Sequence, residues 1–176
     1  ENETTVIKNL LVFKSVQAKD VMTPFTVVTS ENEEMSLNAF QEIHKNIQFS
    51  RIPVYADKMT NITGFVLRDE IMEGIIEQNG ETKLREIKRQ MNVVNSDKPI
   101  PELFEIFIKD RVHIAQVVDE FGNTVGIVTM EDIIETLLGL EIMDEIDSVE
   151  DMQLHARKNW EIRSKKMGIN LIKEKE

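Results

Sequence analysis

Between residues 17 and 140 the hydrophobic and polar positions run through one order twice. Leu37, Phe40, Ile43 and Ile47 recur at the spacing of a helix with one apolar face, and Leu103, Phe104, Phe107 and Ile108 do the same in the second half of the chain. Each helix follows a short extended segment, Thr26 to Thr29 or Asn92 to Asn95. Two strand-like runs come next: Arg51 to Ala56 with Ile62 to Leu67, and His113 to Asp119 with Thr124 to Thr129. The second pair is joined by "DEFGN", where Gly122-Asn123 suits the positive φ of a tight hairpin. A closing helix carries Ile71, Met72, Ile75 and Ile76 in one half and Ile133, Ile134, Leu137 and Leu138 in the other, stripes that read as core.

The likeness extends to the residues. Val27-Val28-Thr29-Ser30 matches Val93-Val94-Asn95-Ser96, Ile52-Pro53-Val54-Tyr55 aligns with Ala115-Gln116-Val117-Val118, and Gly64 to Ile71 aligns with Gly126 to Ile133. The offset drifts from one match to the next, as small insertions in surface turns would make it. The division that follows is a lead-in helix or linker over 1–16, a first repeat over 17–79, a second over 80–140 and a charged tail over 141–176. One half sheet with two helices is too small to bury itself well, so the two repeats are expected to pack against each other. The fold class expected is α+β, two β-α-β-β-α repeats about a pseudo-twofold axis, with a helical lead-in and a helical or disordered C-terminal tail.

Composition narrows the function classes. The chain of 176 residues carries a net charge of −11, which argues against nucleic acid as a partner, since nothing would neutralise a long phosphate track. One small phosphorylated ligand stays compatible, because screening beyond about 8 Å leaves local groups in control. With no cysteine there are no disulfides and no thiolate metal sites, and three scattered histidines do not suggest zinc. No apolar run is long enough to span a bilayer. Residue 1 is Glu, so the chain reads as a piece of something longer. The tail turns from acidic (Glu141, Asp144, Glu145, Asp147, Glu150, Asp151) to basic (Arg157, Lys158, Arg163, Lys165, Lys166) around Trp160. That pattern is either a solvated helix or a basic segment near an anionic membrane surface.

The candidate chemistry sits in "GIVTMEDI", Gly126 to Ile133, where a strand gives way to a helix. Thr129 followed three residues later by Asp132 has the form of a capping box. The sister stretch "GFVLRDEI" builds the same junction with Leu67 and Glu70, so the hydroxyl is not needed for the architecture alone. A strand-to-helix junction also offers free N–H groups to a ribose or phosphate oxygen. Both roles, cap and ligand holder, are open at this point.

The phrases "DVMTP" (Asp20 to Pro24), "SRIPVY" (Ser50 to Tyr55), "HIAQVVDEFGNTVGIVTMEDIIE" (His113 to Glu135) and "DEID" (Asp144 to Asp147) resemble a tandem pair of CBS domains, or Bateman module, of the kind found in the cytosolic region of CorC/HlyC-type, CNNM-related membrane proteins. The similarity covers about residues 1 to 152, and the phrases are specific only together. The resemblance implies a regulatory module that binds an adenine nucleotide, ATP or AMP, with or without magnesium, in the cleft between the repeats. Carried over by position, Asp132 would hold the ribose hydroxyls and Thr129 would face sugar or phosphate. Ser50, Arg51, Ile52 and Pro53 would line the adenine and phosphate region, Thr23 would help close the pocket, and His113 would approach the phosphates. Chemically, a carboxylate can accept two hydrogen bonds from a cis-diol, and apolar side chains can cover a purine face. Taken singly, Arg51 also reads as a solvated strand-end charge and His113 as a strand start. Leu67 and Glu70 depart from the pattern, so one equipped site per pair is expected.

The resemblance further implies a homodimer through the paired domains, a parent membrane domain beyond this chain, a position on the cytoplasmic side of the membrane, and an association with magnesium or cobalt transport. The competing reading is a ligand-free dimerisation or protein-interaction scaffold with a vestigial pocket. An enzyme is not expected: the chain has no P-loop, no "GxSxG", no "HExxH" and no Cys/His pairing.

Overall fold

The structure, a computed structural model, describes residues 2–45 and 47–139. The readings made for the tail, "DEID" included, lie outside the described residues. The chain opens with helix α1 (Asn2–Phe13), a short helix α2 (Ala18–Val21) and strand β1 (Thr23–Pro24). The first half continues with a 3-10 turn (Phe25–Val27), β2 (Glu31–Asn32), α3 (Leu37–Ile43), β3 (Arg51–Tyr55), β4 (Ile62–Leu67) and α4 (Arg68–Ile76). The second half has α5 (Leu84–Ile87), β5 (Asn92–Asn95), α6 (Ile100–Asp110), β6 (Ile114–Val118), β7 (Thr124–Thr129) and α7 (Met130–Leu138).

The mixed α+β architecture is the expected one. In each half a parallel pair (β2 with β3; β5 with β6) adjoins an antiparallel hairpin (β3 with β4; β6 with β7). Ser36 caps α3 by accepting the Ala39 N–H at 3.3 Å, and Pro99 precedes α6 at the equivalent place. The "DEFGN" turn closes as its composition demands. Gly122 takes φ 82°, and the Asp119 carboxylate accepts the backbone N–H groups of Phe121 and Asn123.

Two cores result. One gathers Leu37, Phe40, Ile52, Val54, Val66, Ile71 and Leu84, and the other gathers Val94, Ile100, Leu103, Phe107, Val117, Val128 and Ile133 with Phe13, Val16, Ala18 and Val21. The membership shows an exchange. Leu84, on the leading segment of the second half, is buried in the first core, while Ala18 and Val21, on the leading segment of the first half, are buried in the second.

The backbone repeats this exchange bond for bond. Ala18 N–H donates to Lys98 O and Leu84 N–H to Met35 O, both at 2.9 Å, and Lys19 and Arg85 donate likewise to Ser96 and Glu33. β1 then lies antiparallel on β7, Thr23 opposite Ile127, and Arg89 bridges Phe65 in the same way. Gly126 and Gly64 are where these segments cross. A Cβ at Gly126 would strike the Thr23 carbonyl, and one at Gly64 the Arg89 carbonyl, which accounts for the glycine that opens both "GIVTMEDI" and "GFVLRDEI".

Three expectations need correction. The first-half strand is not Thr26 to Thr29: β2 lies at Glu31–Asn32, and residues 25–27 form the 3-10 turn. Glu31 pairs with Val54 as Val94 pairs with Val117, so Glu31, not Val28, is the counterpart of Val94. Since Thr23 answers to Arg89, the first half holds three extra residues in this loop, and the matching "VVTS" and "VVNS" are not equivalent in space. The buried helical stripes are also narrower than the spacing predicts: Ile43, Ile108 and Ile76 are 62%, 60% and 80% exposed. Finally, α3 ends at Ile43, short of Ile47, whereas α6 runs on to Asp110.

Candidate functional site

Both closing helices start in the same way. Arg68 N–H donates to Ser50 O, and Met130 N–H to His113 O, each at 3.0 Å. This bond ties each helix start to the residue before the first strand of its hairpin, which is why Ser50 and His113 stand beside strand-to-helix junctions. The junctions differ in their side chains. At α7, Asp132 N–H donates to Thr129 Oγ1 at 3.3 Å, while the Asp132 Oδ2 accepts both the Thr129 N–H and the Thr129 hydroxyl at 2.8 Å. At α4, Leu67 offers no side-chain cap. The capping box is therefore real, and α4 forms at the same length of nine residues without one.

In front of the Thr129 junction lies a cavity of about 310 Å³, within the range of small-ligand sites. It brings together Thr23, Ser50, Arg51, Pro53, His113, Thr129 and Asp132, residues that β1, the start of β3, the start of β6 and the β7–α7 junction contribute. Ile52 does not join them. It alternates to the opposite face of β3 and is buried in the first core.

The sequence reading missed the rest of the wall. Val27, Val28 and Thr29 come from the β1–β2 loop that holds the three extra residues, and Gln48 and Phe49 from the segment after α3, with Ile114 and Ile127 behind. Val27 and Phe49 are 69% and 54% exposed, large apolar side chains left open at the mouth of a cleft. No local signal in the sequence marks them, because the three extra residues show only when strand pairing matches Thr23 to Arg89 and Glu31 to Val94.

The electrostatics are mixed. Arg51 and His113 face the same cavity as Glu131 and Asp132, and among the described residues Arg51 forms no ion pair. An apolar slot with hydroxyls, two carboxylates and the Arg51 guanidinium suits a flat heterocycle carrying a diol and an anionic group. Hydrogen bonds from Lys88 and Thr63 lower the pKa of Glu33, and the hydrogen bonds from Asn123 lower that of Asp119. The place equivalent to the cavity in the other half is filled differently, because Arg89, the counterpart of Thr23, forms an ion pair with Glu70, the counterpart of Asp132.

The repeated half, the exchanged leading segments and the cleft at one junction define a class of protein. The chain belongs to the CBS-domain family: a CBS-domain family model matches residues 84–139, and a solved CBS domain of a putative transporter from Clostridium difficile 630 is 31% identical, with a TM-score of 0.66 over 72% of this chain and 97% of that one. Within the family the chain is similar to a CBS domain of a bacterial CNNM/CorC family Mg2+ transporter solved in complex with ATP, at 27% identity and a TM-score of 0.76, covering 81% of this chain and 100% of that one. It is also 28% identical over 149 residues to the magnesium and cobalt efflux protein CorC of Vibrio cholerae, covering 85% of this chain and 51% of that protein. The chain spans about half the length of the curated relatives it matches, or less.

Proposed function

We propose that this CBS pair is a regulatory module that binds an adenine nucleotide in the cleft at the Thr129 junction. The observation that carries the reading is the cavity itself, in which the start of α7 faces Ser50, Arg51 and Pro53 across one cleft. Asp132 and Thr129 would take the ribose hydroxyls, the slot bounded by Pro53, Val27 and Ile127 would cover the base, and Arg51 with His113 would meet the phosphates. ATP is the first candidate, because the CNNM/CorC relative was solved with it. Magnesium can accompany the phosphates, which supply their own oxygen ligands. No chemical step belongs to this reading.

The repeat boundaries proposed are 17–79 and 80–140, with 1–16 as the lead-in. We place the chain on the cytoplasmic side of a membrane, as part of a longer protein that moves magnesium or cobalt and pairs through its CBS modules. The name of the Vibrio relative and the partial coverage of it support this. Among the described residues no helix is long and apolar enough to cross a membrane. Ligand binding regulates such a protein only if the nucleotide prefers one of two arrangements.

The test is calorimetric titration with ATP, ADP and AMP, with and without magnesium. Asp132→Ala removes hydrogen bonds worth roughly 1.5–3 kcal/mol, a loss of about tenfold to hundredfold in affinity. Unchanged affinity in a folded variant sinks the ribose assignment. One observation favours the second reading, a scaffold with a vestigial pocket: Asp132 Oδ2 already accepts two bonds from Thr129. Absence of binding to all three nucleotides would favour it.

A further inference from the structure

Two segments of the first half wall the cavity, Val27 to Thr29 and Gln48 to Ser50. Neither is part of a sheet, and one side-chain pair links the chain just outside them. Glu31 follows the first segment, His44 precedes the second, and His44 Nε2 donates to Glu31 Oε1 at 2.7 Å. A carboxylate only accepts, so the proton lies on Nε2. The two side chains are 19% and 16% exposed, and the imidazole also packs against Phe40 with ring centroids 4.7 Å apart.

The second half shows what this position holds when no wall is required. The counterpart of Glu31 is Val94, by the pairing of β2 and β5 with their neighbours. Leu37 answers to Ile100 and Phe40 to Leu103, so His44 answers to Phe107. Val94 and Phe107 are 5% and 0% exposed in one apolar core, and there the helix continues to Asp110. Where the second half has two apolar core residues the first half has a polar pair, and next to it the helix ends a turn early and the loop before β2 is three residues longer.

Replacing buried apolar side chains with a polar or ionic pair does not raise stability, because desolvation offsets the attraction. Stability therefore does not explain the exchange, whereas the cavity does, since both altered segments are its wall. We infer that Glu31 and His44 are positioning residues: their hydrogen bond holds the 25–30 turn and the 47–50 segment at the separation the ligand needs, although neither side chain lines the cavity. The ligand in this inference is the nucleotide of the reading above, and on that it rests.

The test copies the second half into the first. The double variant Glu31→Val/His44→Phe is compared with Glu31→Gln, which keeps an acceptor for His44. ATP affinity, the melting temperature and amide exchange over residues 25–30 and 47–50 are read on the full chain. The double variant should melt no lower than the parent, exchange faster in both segments, and bind ATP about tenfold more weakly or worse, because ordering the wall then falls to the ligand. Glu31→Gln should bind as the parent does. A double variant with parental affinity and parental exchange overturns the inference. Should the double variant misfold, Glu31→Ala read in the same way decides. If the parent itself binds no nucleotide, the reading of the ligand fails, and the exchange rates still decide whether the pair holds the two segments.

Discussion

Arg89 forms an ion pair with Glu70, whereas their counterparts in the other half, Thr23 and Asp132, line one open cavity. The two halves thus share a backbone and differ in what occupies the space before the closing helix. In one half a threonine and a capped aspartate face an open cleft. In the other, the chain supplies its own cation, which pairs with one carboxylate oxygen of Glu70 and leaves the buried Oε2 without a hydrogen-bond partner.

One nucleotide per chain is therefore expected, read as the stoichiometry of a calorimetric titration. Arg89→Ala should leave that number and the affinity unchanged, and its cost in stability should be about 1 kcal/mol or somewhat more, since Arg89 is half exposed but Glu70 is partly buried. Two equivalents bound by the parent chain would contradict the asymmetry.

Thr129→Ala separates cap from ligand contact. Loss of the cap costs about 0.5–2 kcal/mol, read from denaturant midpoints. If the hydroxyl serves only the helix, saturating ATP stabilises the variant as much as the parent. A nucleotide contact instead makes the ligand-induced rise in midpoint smaller in the variant, and that is the expected result.

Gly126→Ala and Gly64→Ala form a matched pair. Each added Cβ meets the backbone of a crossing segment, at Thr23 or at Arg89, so each should cost about 1–3 kcal/mol. Only Gly126→Ala should also weaken nucleotide binding, because only there does the displaced segment carry a cavity residue. Equal binding losses at both positions would count against the site.

Glu33 makes a prediction in pH. Hydrogen bonds from Lys88 at 2.6 Å and Thr63 at 2.5 Å hold its carboxyl below the usual value for a glutamate. A folded pKa below the unfolded one adds stability at pH values above the unfolded pKa, and that stability is lost as pH falls through the folded pKa. Denaturant midpoints measured from neutral into acid should therefore drop less steeply in Glu33→Gln, which starts lower at neutral pH. An unchanged acid slope would mean that the pair contributes nothing to folding.

Period and punctuation made most of the fold legible. The hairpins, the closing helices and the "DEFGN" turn follow from alternation, helical spacing and Gly122, all of them local signals. The first-half strand was misplaced because "VVTS" looks like "VVNS"; residue likeness fixed an alignment that only pairing to β3 could correct. The exchange of α2 and α5 between cores escaped as well, since no local pattern says which of two similar sheets a segment will cover. At the candidate site, polar residues on strand ends and helix starts were recognisable by type, whereas Val27, Val28 and Phe49 look like ordinary apolar residues until the cleft puts them at its rim. Ile52 belongs to the contiguous phrase "SRIPVY", but strand alternation turns it away from the cleft and into the first core.

Because each half finishes the other's sheet, the two cannot part like jaws. Opening them would strip Thr23 from Ile127 and Arg89 from Phe65 together, and would uncover Ala18, Val21 and Leu84 in the same event. The pair should melt as one cooperative block, and any message it carries must travel as a reorientation of that block or as a local shift of the cleft wall. A single half expressed alone would have no partner for its leading segment except another copy of itself, so two such halves trading segments would rebuild, with perfect symmetry, what the doubled chain achieves with one side altered.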